Sequence, residues 1–225
     1  MNSDAKSAVE TNGTLRVNEI FHSIQGESSF AGRPCTFVRL TGCDQRCRWC
    51  DTEHAFHEGR DIPVPEILRE VKEYGTPLVE VTGGEPLLQP AVHALIRGLL
   101  EAGHSVLVET GGSRDIARLD PAVTVILDLK CPGSGMEDRI RWENLPLLKP
   151  ADQVKFVVGD RQDYEWARGI MERHGLIDLC EVLMSPVHGV VRPEILADWI
   201  LRDRLQVRLQ VQFHKYIWGE DKRGV

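Results

Sequence analysis

Strand-like and helix-like segments alternate along most of this chain, and this alternation restricts the fold more than any other feature. Residues 15–24 and 36–40 are rich in β-branched side chains, which predicts the first two strands. Further strands are predicted at 78–81, 105–109, 123–129, 154–158, 181–184 and 208–213, with helices that begin near residues 64, 90, 161 and 193. Strands that alternate with helices form βαβ units and a parallel sheet. The sequence therefore predicts an α/β fold with outer helices.

The length of the chain limits how far such a sheet can close. A complete eight-stranded barrel needs about 250 residues, whereas this chain has 225. We therefore expect an incomplete (partial) TIM-type barrel, in which functional side chains gather at the carboxyl ends of the strands. Residues 1–13 are polar and small, so we expect a disordered or extended tail there and a single domain at 14–225.

The composition indicates a protein that acts on a small molecule away from membranes. The net charge of −7 argues against direct binding to nucleic acid. No apolar run is long enough to span a membrane, and the first 13 residues lack the apolar stretch of a secretory signal. We therefore expect a cytoplasmic protein in which Cys35, Cys131 and Cys180 are buried thiols.

Half of the six cysteines lie within eight residues, directly after the predicted strand at 36–40. Cys43, Cys47 and Cys50 are separated by three and then two residues, so their thiolates can converge on one metal centre. Three cysteines are the ligand set of a [4Fe–4S] cluster that keeps one iron open. The alternative is a zinc site with His54 or His57 as fourth ligand, although zinc sites usually contain two cysteine pairs.

Polar residues also follow two other predicted strands. Gly83 and Gly84 let the backbone approach a ligand closely, and Glu85 can accept a hydrogen bond from a cation. Glu109 ends the next strand, where it can hold hydroxyl groups.

A third set of polar residues lies near the amino terminus. Gln25, Glu27 and Arg39 offer an amide, a carboxylate and a guanidinium. These groups suit a flat heterocycle that presents amidine-like donors and its own carboxylate.

The cysteine loop, with an aromatic residue at Trp49, resembles the cluster loop of radical S-adenosylmethionine (SAM) enzymes. The order of Ile-Gln-Gly-Glu at 24–27, Val-Arg-Leu-Thr-Gly-Cys at 38–43, Thr-Gly-Gly-Glu-Pro at 82–86, His-Lys at 214–215 and Arg-Gly-Val at 223–225 is similar to that of 7-carboxy-7-deazaguanine synthases. The resemblance implies a radical SAM carbon–nitrogen lyase that converts 6-carboxy-5,6,7,8-tetrahydropterin to 7-carboxy-7-deazaguanine with release of ammonia. This product leads to queuosine, a tRNA modification, and to related 7-deazapurines.

The same resemblance implies a [4Fe–4S] cluster, SAM and Mg²⁺ as cofactors, and it implies which residues hold each group. The cluster ligands are Cys43, Cys47 and Cys50, and the Mg²⁺ ligand is Thr52. The residues implied to bind the pterin are Ile24, Gln25, Gly26, Glu27, Arg39, Thr82, His214 and Val225. The residues implied to contact SAM are Trp49, Cys50, Asp51, Gly84, Glu85, Glu109, Asp128, Leu129, Lys130 and Ser185.

The expected partners are the pterin substrate, an electron donor such as flavodoxin, and a second copy of the chain in a homodimer. Two other functions share part of the sequence pattern. A glycyl-radical-enzyme activase has a similar cysteine loop but acts on a protein backbone, which Gln25, Glu27 and Arg39 do not suit. A non-catalytic zinc-binding adaptor would use the same three cysteines for structure alone.

Overall fold

The computed structural model describes residues 13–225, so the predicted tail lies outside the described residues except for Gly13. The strands are β1 (Thr14–Ile24), β2 (Pro34–Leu40), β3 (Arg60–Pro63), β4 (Leu78–Gly83), β5 (Ser105–Thr110), β6 (Thr124–Asp128), β7 (Gln153–Val158), β8 (Glu181–Pro186) and β9 (Arg208–Leu209). The α-helices are α1 (Val64–Tyr74), α2 (Val92–Glu101), α3 (Arg161–His174), α4 (Leu176–Leu179), α5 (Pro193–Asp203) and α6 (Phe213–Trp218). Short 3₁₀ helices lie at Glu53–Phe56, Pro86–Leu88, Pro132–Ser134, Glu137–Arg139 and Trp142–Leu147.

All nine strands belong to one open sheet in the order β3-β1-β2-β4-β5-β6-β7-β8-β9. Every pairing from β2–β4 to β8–β9 is parallel, as the alternation of strands and helices predicts. β1 is antiparallel to both β2 and β3. The two edges, β3 and β9, do not pair with each other, so the prediction of an incomplete barrel is confirmed.

Local sequence signals set the ends of the helices. The Asp160 side chain accepts a hydrogen bond from the Asp163 N–H at 2.9 Å and caps the start of α3. Gly175 ends the same helix in the left-handed conformation, with φ of 61°. The predicted helix between these two residues is confirmed.

Two elements differ from the prediction. The strand predicted at 208–213 ends at Leu209, and Phe213 instead begins α6, because its N–H donates to the carbonyl of Gly26 at 3.0 Å. This contact joins residues that are far apart in sequence, so local propensity does not reveal it. The other difference is β3, an exposed four-residue edge strand whose charged residues Arg60 and Asp61 gave no strand signal.

The sheet separates two apolar clusters. The larger one fills the space between the sheet and the helices, and it contains Phe156 of β7 and the buried Cys131 and Cys180. A smaller cluster lies on the other face, and its members are Phe21, Cys35, Phe37, Leu78, Leu107 and Ile126. The three predicted buried thiols are therefore confirmed.

The smaller cluster forms part of the barrel interior. Because side chains alternate along a strand, residues two positions apart share a face. We call the apolar residues Leu78, Leu107 and Ile126 the lower layer. The upper layer consists of the residues two positions later on the same strands, Glu80, Glu109 and Asp128.

None of the helices within residues 13–225 combines the length and hydrophobicity that crossing a bilayer requires.

Candidate active site

A cavity of about 660 Å³ opens at the carboxyl ends of the parallel strands, above the upper layer. Its wall contains all eight residues that the sequence implies for pterin binding: Ile24, Gln25, Gly26, Glu27, Arg39, Thr82, His214 and Val225. It also contains the three cysteines of the loop and Thr52, together with Trp49, Asp51, Gly84, Glu109, Asp128 and Lys130. Residues from both ends of the chain thus meet in one place.

The cysteine loop follows directly after β2 and faces this cavity. Its turn is fixed from within, because the Cys50 N–H donates to the carbonyl of Cys47 at 3.2 Å and Arg46 Nη1 donates to the carbonyl of Cys43 at 2.9 Å. Residues 13–225 contain no group of three metal-ligating side chains that already surrounds one point. Burial raises the pKa of the Cys43 and Cys47 thiols, so metal binding must both draw the sulfur atoms together and remove their protons.

The donor set suits the implied cluster. The three thiols are partly exposed to the cavity, and soft sulfur ligands select iron–sulfur clusters over hard cations. No further cysteine lines the described cavity, so a cluster held by this loop keeps one iron for another ligand.

The glycine pair after β4 packs directly against the cysteine loop. A β-carbon on Gly84 would lie 2.3 Å from the carbonyl oxygen of Gly42 and 2.7 Å from Cβ of Cys43. The Glu85 N–H donates to the same Gly42 carbonyl at 2.8 Å. Gly84 therefore leaves the space that the cysteine loop occupies.

Glu85 lies behind the cavity wall. Its side chain is 1% exposed, and its carboxylate accepts hydrogen bonds from Thr110 Oγ1 at 2.8 and 2.9 Å, from the Gly111 N–H at 2.8 Å and from the Leu87 N–H at 3.0 Å. These bonds tie the loop after β4 to the loop after β5. In this arrangement Glu85 positions the two loops.

Leu129 and Ser185 also lie off the cavity wall. Leu129 is buried and its N–H donates to the Lys155 carbonyl at 2.9 Å. Ser185 Oγ and Asp128 Oδ1 are buried and have no hydrogen-bond partner within residues 13–225. Buried polar atoms are usually paired, so Asp128 Oδ1, which belongs to a residue of the cavity wall, suits a polar group of a bound ligand.

The floor of the cavity holds a buried lysine that the sequence reasoning missed. Lys155 of β7 is 5% exposed, and its Nζ lies 2.8 Å from Glu27 Oε2 and 3.2 Å from Asp128 Oδ2. It also forms an ion pair with Glu109. Lys130 Nζ binds the same Asp128 oxygen at 2.9 Å. The only sequence signal was a lysine within an otherwise apolar strand.

Glu80 is a buried carboxyl group near Lys155. Burial raises the pKa of Glu80 well above its usual range, and the nearby charges of Glu109 and Glu27 raise it further. Its side chain accepts a hydrogen bond from Gln25 Nε2. Glu80 therefore keeps its proton more readily than an exposed glutamate does.

The carboxylate of Glu27 is held in its charged form. Burial opposes its ionisation, but Lys155 and His214 outweigh this effect and lower its pKa. Gln212 Nε2 also donates to Glu27 Oε1 at 2.8 Å. A charged acceptor thus faces the cavity at a position implied to bind the pterin.

The carboxyl-terminal segment closes one side of the cavity. Lys215 Nζ lies 2.7 Å from Asp51 Oδ2, and Arg223 Nη1 lies 3.0 Å from Glu58 Oε2. Gly26 is required below this segment, because a β-carbon there would lie 2.4 Å from His214 Nδ1. These contacts bring the last residues of the chain to the cavity wall.

The cavity wall also carries the predicted guanidinium of Arg39. Arg39 Nε donates to Glu19 Oε1 at 2.7 Å, and this pair fixes the direction of the Arg39 side chain. His54 Nε2 lies 3.8 Å from the same oxygen. Thr52 Oγ1 lies 3.8 Å from Cys50 Sγ, so the implied Mg²⁺ ligand is next to the cysteine loop.

Known proteins share both the sequence and the fold of this chain. Residues 37–166 match the family model of the radical SAM superfamily. The 7-carboxy-7-deazaguanine synthase of Chlorobaculum tepidum is 46% identical over 220 residues, which cover 96% of this chain and 100% of the relative. The 7-carboxy-7-deazaguanine synthase of Koribacter versatilis is 44% identical and covers 94% of this chain and 100% of its own length.

A solved structure gives the same architecture. QueE from Escherichia coli superimposes with a TM-score of 0.74 at 23% identity, over 88% of this chain and 94% of the QueE chain. At this identity the likeness concerns the fold.

Proposed function

Because this chain belongs to the 7-carboxy-7-deazaguanine synthase family of the radical SAM superfamily, we propose that its cavity binds 6-carboxy-5,6,7,8-tetrahydropterin and converts it to 7-carboxy-7-deazaguanine with release of ammonia. Family membership makes the protein a radical SAM lyase of 7-deazapurine synthesis that acts on a small molecule. Its cofactors are a [4Fe–4S] cluster, SAM and Mg²⁺. The substrate and the roles of individual residues are the proposal.

The observation that carries the proposal is the meeting of two residue sets in one cavity. The cysteine loop and all eight residues implied to hold the pterin line the same wall. Cys43, Cys47 and Cys50 hold the cluster. When bound, the cluster and SAM together supply the radical that removes a hydrogen atom from the substrate.

The protein's own residues orient the substrate. Glu27 is charged and accepts from the amidine-like donors of the pterin, while Arg39 pairs with the substrate carboxylate. The carboxyl-terminal segment covers the bound pterin, and His214 and Val225 reach it from that side. Closing the cavity in this way excludes water from a reactive intermediate.

The SAM side of the cavity lies between the cysteine loop and the upper layer. Trp49, Asp51 and Gly84 provide the wall next to the cluster. Asp128 Oδ1, which has no hydrogen-bond partner within residues 13–225, offers a hydrogen bond to the ligand's polar groups, and Ser185 lies behind this wall. Lys130 and Glu109 complete this side, and the backbone of Leu129 and the buried Glu85 position it.

Thr52 holds Mg²⁺ at the boundary between the two ligands. A hydroxyl is a hard oxygen ligand of the type that Mg²⁺ prefers. Mg²⁺ bound at Thr52 would supply positive charge next to the substrate carboxylate.

The reductant approaches the outer side of the cysteine loop. Arg46 and Arg48 of this loop are exposed, although the whole chain carries a net charge of −7. Two arginines next to the cluster favour an acidic electron carrier such as flavodoxin. Removing both positive charges should slow reduction of the cluster by such a carrier and leave reduction by dithionite unchanged.

The protein acts in the cytoplasm as a homodimer. Tyr216, Ile217 and Trp218 of α6 expose apolar surface of the kind that a second copy covers. Light scattering should give twice the mass of one chain, whereas a mass of one chain would contradict this assembly.

The deciding experiment is anaerobic reconstitution with iron and sulfide, followed by SAM, reductant, Mg²⁺ and carboxytetrahydropterin. We expect 5′-deoxyadenosine and a deazapurine carboxylate. Cleavage of SAM without conversion of the pterin would contradict the substrate, and absence of bound iron and sulfide would contradict the radical SAM assignment of the loop.

A further inference from the structure

The ammonium group of Lys155 contacts carboxylates of both proposed ligand sites. Its Nζ contacts Glu27, which belongs to the pterin side, and both Glu109 and Asp128, which belong to the SAM side. Lys130, a partly buried lysine on the floor, pairs with Asp128. Within residues 13–225, Lys155 is thus the lysine that reaches both sides.

We propose that Lys155 is a positioning residue that holds the pterin-binding Glu27 and the SAM-contacting Asp128 and Glu109 in place through one shared ammonium group. This inference rests on the proposed function, and it adds a residue that the sequence pattern and the family resemblance did not point to.

The strand geometry explains why a lysine performs this role. Glu109 is the penultimate residue of β5, Asp128 ends β6 and Lys155 lies on β7, so three adjacent parallel strands direct these side chains into the same interior. Glu27 comes from the loop between β1 and β2. An ammonium group has three donors, one for each of the three carboxylates.

The charges on the cavity floor also support a positioning role for Lys155. The floor contains four carboxyl groups, on Glu27, Glu80, Glu109 and Asp128. Burial raises the pKa of Glu80, and the charges of Glu109 and Glu27 raise it further. Opposite charges lower the pKa of Glu27 and Asp128, and Lys155 contributes to both shifts. Burial of an ion pair is weak evidence for stability, because an apolar replacement is often equally stable. The charge pattern is therefore better explained by the need for charged, fixed acceptors in the cavity.

The test measures ligand binding by the cluster-loaded protein without reductant, so that no turnover takes place. The dissociation constants for SAM and for carboxytetrahydropterin are determined separately for the wild type, Lys155→Met, Glu27→Gln and Asp128→Asn. Lys149→Met is the matched control, since Lys149 pairs with Asp152 away from the cavity.

A shared role predicts a specific pattern. Lys155→Met should weaken both ligands by about tenfold, the effect of losing a hydrogen bond to a charged group. Glu27→Gln should weaken the pterin alone, Asp128→Asn should weaken SAM alone, and Lys149→Met should weaken neither. Unchanged binding in Lys155→Met, or weakening of one ligand only, would overturn the inference.

A second variant covers the case in which Lys155→Met fails to fold. Lys155→Met/Glu109→Gln removes one charge of each sign and keeps the net charge of the floor, so its fold should be retained. Its pterin affinity should fall about tenfold below that of Glu109→Gln alone; equal affinities would overturn the inference. If the wild type binds neither ligand, the proposed function fails as well, whereas failure of the inference alone leaves wild-type binding intact.

Discussion

The lower and upper layers of the barrel interior lie on the same three strands and the same face. The lower layer packs in the core, whereas the upper layer lines the cavity. Leu78, Leu107 and Ile126 pack in an apolar cluster. Two residues later, or about 6.6 Å along each strand, the side chains are Glu80, Glu109 and Asp128, which face the cavity. Side chains that are two residues apart on one strand therefore serve either the apolar core or the cavity.

This difference shows how the fold tolerates a cluster of buried charges. The apolar layer fixes the spacing of the strands, and the strands in turn fix the carboxyl groups above them. The charged layer needs its own compensation, which Lys155 and Lys130 supply. Variants in each layer and at the cysteine loop test this division.

The largest effect is expected above the upper layer, at the cluster. Cys47→Ala should abolish formation of 5′-deoxyadenosine, because two thiolates do not retain the cluster. The measurement is iron and sulfide content together with deoxyadenosine after reaction with SAM and reductant. Cys180→Ala, which changes a buried thiol outside the cavity, should keep both. A Cys47→Ala protein that cleaves SAM would refute the cluster ligands.

The next effect belongs to the lower layer. Leu107 is 1% exposed, and Leu107→Ala should lower the free energy of unfolding by about 2–5 kcal/mol through lost contacts and a cavity. Denaturant unfolding measures this change. Leu107→Met conserves volume and should cost less than about 1.5 kcal/mol. Equal losses in the two variants would show that the lower layer does not support the strands as described.

A pH dependence distinguishes the upper layer from the lower one. The folded-state pKa of Glu80 is raised by burial and then by Glu109 and Glu27, so its contribution to stability is present at low pH and is lost as the pH rises toward that pKa. Glu80→Gln removes this loss. The variant should be more stable than the wild type near pH 8, and this gain in the free energy of unfolding should shrink toward pH 5. A gain that is the same at both values would contradict a protonated Glu80.

The smallest effect is expected for the proposed Mg²⁺ ligand. Thr52→Ala removes one oxygen ligand, and other ligands of the ion remain. The Mg²⁺ concentration for half-maximal activity should therefore rise several-fold, by about 1 kcal/mol of binding free energy. Thr124→Ala on β6, outside the cavity wall, serves as the control. An unchanged response to Mg²⁺ in Thr52→Ala would count against its role.

Much of the fold follows from local sequence. Runs of β-branched residues and capping residues such as Asp160 and Gly175 predicted the order of strands and helices. The errors occurred where distant residues decide the structure. Phe213 begins a helix because its backbone bonds to Gly26, and β3 forms because β1 offers a free edge.

The candidate site shows the same limit. The cysteines and the motifs at the strand ends were visible because each is a short, ordered pattern. Lys155 and Glu80 lie inside apolar strands, and alternation gives a strand two faces without telling which face borders the cavity. Glu85 was expected to contact SAM, and only the three-dimensional structure reveals its hydrogen bonds to Thr110 and Gly111.

The central claim is that the three-cysteine loop holds an iron–sulfur cluster whose open iron meets SAM inside this cavity. Electron paramagnetic resonance of the reconstituted and reduced protein, recorded before and after addition of SAM, tests it most directly. We predict the signal of a reduced [4Fe–4S] cluster and a change in its g-values when SAM binds. A spectrum that SAM leaves unchanged, or a colourless protein that contains zinc, would contradict the claim.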